Sequence, residues 1–194
     1  LKKASNIKVE DISIQNKSCV VHLAPICDEF SVELIDSFHH NVFVAVTPQG
    51  WLRDVDSEHR ISSKTMNWDY LEKADAVIIS DEECPQDQLE FEKMKKAIRL
   101  LIVTKNESGT VAYVDGKHLY LPAFPVKPVN FSGAGDVFAS VFFARYFHTK
   151  DLKNSLILAN CAASLHVENI ILAKEEQMRL LNQRVSRYNE IFAV

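Results

Sequence analysis

Short β-branched runs alternate with stretches in which apolar residues recur at helical spacing. The runs Cys19 to Leu23, Val42 to Val46, Ala76 to Ile79 and Leu100 to Val103 are predicted strands. Between them, Glu29 to Phe38, Asn67 to Lys73 and Gln86 to Ile98 are predicted helices. A few residues separate each helix from the next strand, the loop length of βαβ units, so a mostly parallel sheet flanked by helices is expected. From Val111 the pattern changes. The segment VAYVDGKHLYLPAF consists of two alternating runs around Asp115-Gly116, a strong hairpin signal. Three helical patterns follow, at Ala134 to Phe147, Leu152 to His166 and Lys174 to Asn189, the last charged and exposed. No internal repeat or linker interrupts the 194 residues, so one α/β domain over 1–194 is expected.

Composition narrows the function classes. The chain is 47% hydrophobic and 25% charged with a formal net charge of -4, which offers no broad basic surface for a phosphate backbone. Nucleic acid is therefore not an expected partner. The four cysteines, Cys19, Cys27, Cys84 and Cys161, lack the spacing of a zinc knuckle or redox pair and read as reduced and mostly buried. Apolar stretches such as Leu100 to Val103 and Val137 to Ala144 fall far short of the ~20 residues that cross a bilayer. The expectation is no membrane partner and a cytoplasmic location. The histidines, His166 among them, have no ligand spacing joined to a carboxylate and read as surface or packed residues.

The chemistry is concentrated in PVNFSGAGDVFASVFFARY. Gly133-Ala134-Gly135 precedes an apolar helical run. Small residues there let backbone N–H groups converge at a helix N-terminus, where the peptide dipoles favour an anion. Asp136 falls in the first helical turn, in reach of a hydroxyl that attacks a phosphate. The plain alternative is a Ser132 cap, a glycine turn and an Asp that complements the dipole.

NFSGAGDVF resembles the second signature of the ribokinase or PfkB carbohydrate kinase family, usually D-T-T-G-A-G-D-x-F. IVTKNESGTVAYVDG resembles the family's nucleotide-contacting T-x-G-x-x-G segment, with Thr104 and Gly109 in place. LANCAASLHVEN resembles the helix that lines the adenine pocket and points to Asn160 and Ala163, while IISDEEC resembles the N-x-x-E stretch of the magnesium-water shell and puts Glu83 in the glutamate position. The four segments occur in family order across about residues 76–170.

The resemblance implies the doubly wound ribokinase-like fold, with the hairpin toward the C-terminus. It also implies ATP with Mg2+ as donor system, and an acceptor hydroxyl on a small sugar, polyol or nucleoside. Asp136 would be the catalytic base, with the backbone of Gly133, Ala134 and Gly135 stabilising the transferring phosphoryl group. Glu83 would act on magnesium through water. A short likeness of TPQGWLRD to an inositol-type and archaeal subgroup marks Gln49 and Arg53 as substrate candidates, at a strand's C-terminal end where open α/β sheets bind ligands.

Several positions depart from the family pattern. Asn130 replaces the Asp of its monovalent-cation site, so potassium dependence is not implied. Asn106 and Asn169 stand at glycine positions, and Asn tolerates left-handed backbone better than most residues. The family's first strands, Gly-Gly substrate motif and β lid find no counterpart before residue 1, so a domain incomplete at the N-terminus, or a shortened relative, is expected. The family usually dimerises through that lid, so no oligomeric state is implied. The alternative to a kinase is a catalytically degenerate nucleotide-binding relative with a regulatory role.

Overall fold

The structure is a computed structural model and describes residues 6–13, 18–38, 42–56, 58, 60–170 and 173–193. Strands β1 (Cys19–Leu23), β2 (Val42–Val46), β3 (Arg53–Val55), β4 (Ile61–Ser63) and β5 (Ala76–Ser80) precede helix α1 (Gln88–Ala97). Then come β6 (Leu100–Thr104), β7 (Thr110–Val114) and β8 (Lys117–Leu121), followed by α2 (Ala134–Thr149), α3 (Leu152–Val167) and α4 (Lys174–Phe192).

Six strands pair in the order β1-β2-β5-β6-β7-β8. β1 and β2 are parallel, with Cys19 opposite Val42, and β2 and β5 are parallel, with Ala45 opposite Ala76. The central strands β2, β5 and β6 are nearly continuous apolar runs buried at four of five positions, which fits a sheet covered on both faces. β8 closes the series with mostly exposed residues, as an edge strand does. Asp115 at φ 50 and Gly116 at φ 70 form the two-residue turn from β7 to β8, where positive φ matches the strand twist.

Two predicted helices are shorter than their patterns. Within 29–38 only a 3-10 helix forms, Val32–Ser37, and within 67–73 only Trp68–Leu71 does. Neither segment is long enough to offset helix nucleation, and anchoring Leu34, Ile35, Trp68 and Leu71 in the core takes only one or two turns. The pair β3–β4 had no counterpart in the predicted elements. Each strand has three residues, and Ile61 to Ser63 are all exposed, so no hydrophobic alternation marks them. Asp56 braces the hairpin, accepting from the Arg60 backbone N–H at 2.9 Å and from Arg60 Nε at 2.8 Å.

The chain divides into two compact units, one of Leu1–Val103 and Ala112–His118, the other of Thr104–Val111 and Leu119–Val194. The first has its core around Leu23, Val46, Trp51, Leu71, Ile79 and Leu101. In the second, Phe138, Phe142 and Phe143 of α2 and Leu156, Ile157 and Ala159 of α3 are buried, and the two helices pack along each other. Of the four cysteines, all free, only Cys161 is buried, so the expectation of mostly buried thiols fails for the other three. Burial pushes the Cys161 thiol up to about 12, and the nearby Arg184 opposes the shift. Among the described residues no helix is long and apolar enough to cross a membrane.

Asp151 joins α2 to α3 and caps the latter: Oδ1 accepts from the Asn154 N–H at 3.0 Å and Oδ2 from Asn154 Nδ2 at 2.7 Å. The Asn154 side chain, then its backbone, holds this carboxyl below its ordinary value. A depressed carboxyl contributes stability that is present above the unfolded value and lost as pH falls through the folded one. The expected outcome is a fall in denaturation midpoint, as pH drops below the ordinary carboxyl value of 3.8, that is shallower in Asp151→Asn, which keeps a cap without the charge. Parallel curves for both proteins would remove Asp151 from the acid response.

Candidate active site

Gly133 is the N-cap of α2 at φ 80 and ψ 1, with no side-chain cap bond. This left-handed conformation is one that glycine adopts without steric cost. It turns the chain so that Ala134 begins the helix, with the Ala134 N–H donating to the Phe131 carbonyl at 3.2 Å and the Val137 N–H to the Gly133 carbonyl at 3.0 Å. The amides of Gly135 and Asp136, in the first turn between them, precede the first intrahelical donor. No heavy atom stands within 4 Å of the place where a Cβ would sit on Gly135. Gly135 and Asp136 are exposed, and the Asp136 side chain makes no hydrogen bond or ion pair among the described residues. Two open donors, the positive end of a 16-residue helix and an accessible carboxylate thus share one turn.

The approach to this turn is held from α3. The Val167 carbonyl accepts from the amides of Val129 at 2.7 Å and Asn130 at 3.0 Å. Asn130 Oδ1 accepts from the Ser132 N–H at 2.9 Å, and His166 Nε2 lies 2.7 Å from the Ser132 carbonyl oxygen. A carbonyl only accepts, so Nε2 carries the proton of this bond. Nothing in the sequence pattern marked His166, because its partner lies 34 residues earlier.

Thr104 ends β6, half-buried, and Gly109 closes the following loop at φ 102. The Lys105 N–H donates to the Gly109 carbonyl at 2.7 Å. A Cβ on Gly109 would stand 2.1 Å from the Leu121 carbonyl oxygen and 2.7 Å from the Ala123 nitrogen. Gly109 therefore lets the loop lie against the chain at 121–123. Asn160 holds that same chain: its Oδ1 accepts from the Phe124 N–H and its Nδ2 donates to the Pro122 carbonyl, each at 2.9 Å. Both ends of this 6%-exposed amide are thereby occupied by backbone, and Ala163 lies half-buried one turn further along α3.

α4 completes the support. Tyr188 donates its hydroxyl to the Pro122 carbonyl at 2.8 Å and stacks on Phe124, while the Arg184 guanidinium lies 4.9 Å from the centre of the Phe124 ring and pairs with Glu168 at 2.6 Å. Burial pushes the Tyr188 phenol well above its ordinary range. Within this unit Gly109 and Asn160 meet on one backbone segment, and Asp136 lies with the glycine turn. Asn106 at φ 47 and Asn169 at φ 57 both take left-handed backbone, as their glycine positions require.

The other unit carries Gln49, Arg53 and Glu83. Gln49 is exposed in a 3-10 turn, Gln49–Leu52, that follows β2, and Arg53 opens β3 opposite Ser63. Between them Gly50 fits against Pro25, where a Cβ would stand 2.4 Å from the Pro25 carbonyl, and Trp51 is a core residue whose Nε1 donates to the Phe30 carbonyl at 2.7 Å. Glu83 follows β5, and its Oε2 accepts from the Ser80 N–H at 3.2 Å. Asp81 Oδ1 in the same turn is buried without a hydrogen-bond partner, an acceptor that the hydration shell of a hard cation would satisfy.

The model for pfkB family carbohydrate kinases matches residues 69–173, more than half of the chain. The chain belongs to this family. The glycine turn, Asp136, Gly109, Asn160 and Glu83 all fall inside the match. A ribokinase from Bacillus subtilis is 39% identical over 67 residues, which cover 34% of this chain and 23% of that protein. A probable fructokinase-5 from Arabidopsis thaliana is 26% identical over 151 residues, 73% of this chain and 44% of that protein. The chain thus spans less than half the length of these curated relatives. The crystal structure of a Thermotoga maritima ribokinase superimposes with a TM-score of 0.71 at 21% identity, covering 92% of this chain and 62% of that one, and shows the ribokinase-like fold.

Gly109→Ala adds both a side chain at positive φ and a collision with backbone, whereas Gly116, at φ 70, has no heavy atom within 4 Å of its Cβ position. In urea denaturation Gly109→Ala is expected to cost about 3 kcal/mol and Gly116→Ala only about 1 kcal/mol. Equal losses would mean that backbone conformation, not the fit against 121–123, makes glycine necessary.

Proposed function

We propose that the protein transfers a phosphoryl group from ATP to a hydroxyl of a small sugar, polyol or nucleoside. The observation that carries this reading is the exposed turn in which open amides of Gly135 and Asp136 stand beside the Asp136 carboxylate. Fold and family membership support it, as does the naming of the relatives as ribokinase and probable fructokinase. In the reaction, Asp136 accepts the proton of the acceptor hydroxyl as that oxygen bonds to the γ-phosphorus. The bond from phosphorus to the bridging oxygen breaks, and ADP leaves with its electron pair. The amides at the start of α2 receive the negative charge spread over the phosphoryl oxygens.

Gly109 and Asn160 contribute to the donor side by holding the chain at 121–124, while Thr104, Ala163 and the Gly133 to Gly135 backbone line the proposed nucleotide region. Asp81 and Glu83 would hold a hydrated magnesium ion, which neutralises phosphate charge when bound. Gln49 and Arg53 are the proposed acceptor contacts, since they follow the C-terminal end of β2.

Phosphorylation by the full natural chain is to be measured with ATP and magnesium against ribose, fructose, myo-inositol and nucleosides. Asp136→Asn is expected to lower turnover by about a hundredfold or more with ATP binding retained, because it removes the base and leaves the amides. Turnover of Asp136→Asn near that of the natural protein would refute the base assignment. ATP binding without turnover of any acceptor would favour a degenerate nucleotide-binding protein.

A further inference from the structure

We propose that His166 is a positioning residue for the anion turn: its Nε2–H, clasped on the Ser132 carbonyl, holds Gly133 in the left-handed conformation that aims the α2 amides and Asp136. This role rests on the phosphoryl-transfer reading above but is distinct from it, because His166 touches neither the reacting atoms nor the base. The clasp is a close one. Nε2 lies 2.7 Å from the Ser132 oxygen, and a Cβ on Gly133 would stand 3.3 Å from the same nitrogen. Glycine at 133 thus provides the backbone conformation and also leaves room for the imidazole to reach the preceding carbonyl.

Packing alone does not fix this segment. Phe131 is 67% exposed and Val129 is 71% exposed, so the residues leading into the turn bury little apolar surface. The N-cap has no side-chain brace of its own. Polar tethers therefore set the conformation, and they come from the last turn of α3 on both sides of Phe131. The Val167 carbonyl receives the amides of Val129 and Asn130, and the His166 imidazole donates to Ser132. Removing the imidazole leaves the Val167 tether and the Asn130 side chain on the Ser132 amide, and frees the Ser132 carbonyl next to Gly133. The first helical turn can then rotate about Gly133, which moves the two amides and the Asp136 carboxylate together. Such misalignment acts on the transition state, in which the base, the attacking oxygen and the phosphoryl group must be in line.

Two variants and one spectrum test this in the full natural chain. His166→Leu removes the donor and keeps apolar bulk; His166→Gln retains an N–H donor on a flexible side chain. His166→Leu is expected to lower kcat about fivefold, the worth of one neutral hydrogen bond, with KM for the acceptor changed less than about twofold, and His166→Gln to recover most of the loss. A merely structural histidine would instead lower the thermal midpoint and leave kcat unchanged at temperatures well below it, and that result overturns the proposal.

Nitrogen-15 labelling of histidine supplies a readout independent of turnover. The Nε2–H tautomer, with its proton protected from exchange, is expected for His166, and an unprotonated Nε2 refutes the clasp. If the natural chain transfers no phosphoryl group to any acceptor, the proposed function falls. The clasp is then judged by inorganic pyrophosphate titration, where the Gly133 to Gly135 amide shifts are expected to weaken in His166→Leu and where identical shifts would overturn it.

Discussion

The site depends on how the carbonyl end of α3 is joined to the amide end of α2. Residues 129–133 are the only covalent lead into the turn, and their exposed apolar side chains provide little burial to fix them. They are held by the Val167 carbonyl and the His166 imidazole, both on the final turn of α3, and locally by the Asn130 side chain on the Ser132 amide. α3 is in turn fixed by its packing on α2 and by the Asp151 cap at its start. The helix that presents the amides is thus braced by the helix that holds their approach. A rigid pair is what an electrostatic site needs, because donors already aimed at a developing charge need no reorganisation during the reaction.

A second support works on the loop beyond β8. Asn160, Tyr188 and Arg184 converge on Pro122 and Phe124, and each polar group is paired there. An unpaired amide at a 6%-exposed position would cost about 1 to 3 kcal/mol, so the backbone at 122–124 satisfies Asn160 as much as Asn160 holds the backbone. Gly109 packs against the same three residues of chain. Asn160 thus spends both ends of its amide on the loop backbone at 122–124.

Legibility in the sequence followed the range of the interactions. The central strands and α2 to α4 were readable because a long apolar or amphipathic period records burial directly. The Asp115-Gly116 turn was readable because positive φ at two adjacent positions restricts residue type. The 3-10 segments were mistaken for α-helices because two anchored side chains produce the same spacing over one turn. The β3–β4 hairpin left no signal, since both strands have three residues and β4 is solvent-facing. At the site, the turn at Gly133 was legible because left-handed backbone ahead of an apolar helix restricts residue type. His166 was not, since its role is set by a contact across two helices that no periodicity reports.

The departures from the family pattern have a common physical form. Asn106 and Asn169 stand at positive φ, where asparagine adopts the glycine conformation at modest cost, and Asn130 uses its side chain to accept from the Ser132 amide. In each case the asparagine fits the backbone path that the chain takes here. A site whose donors are main-chain amides can absorb such changes, because its geometry depends on the path of the chain and not on the chemistry of those side chains. The Asp136 carboxylate is the exception under the proposed reaction, since proton acceptance at that point has no main-chain equivalent. Sequence variation around the turn is therefore expected to tune how firmly the amides are held, whereas variation at residue 136 removes the carboxylate itself.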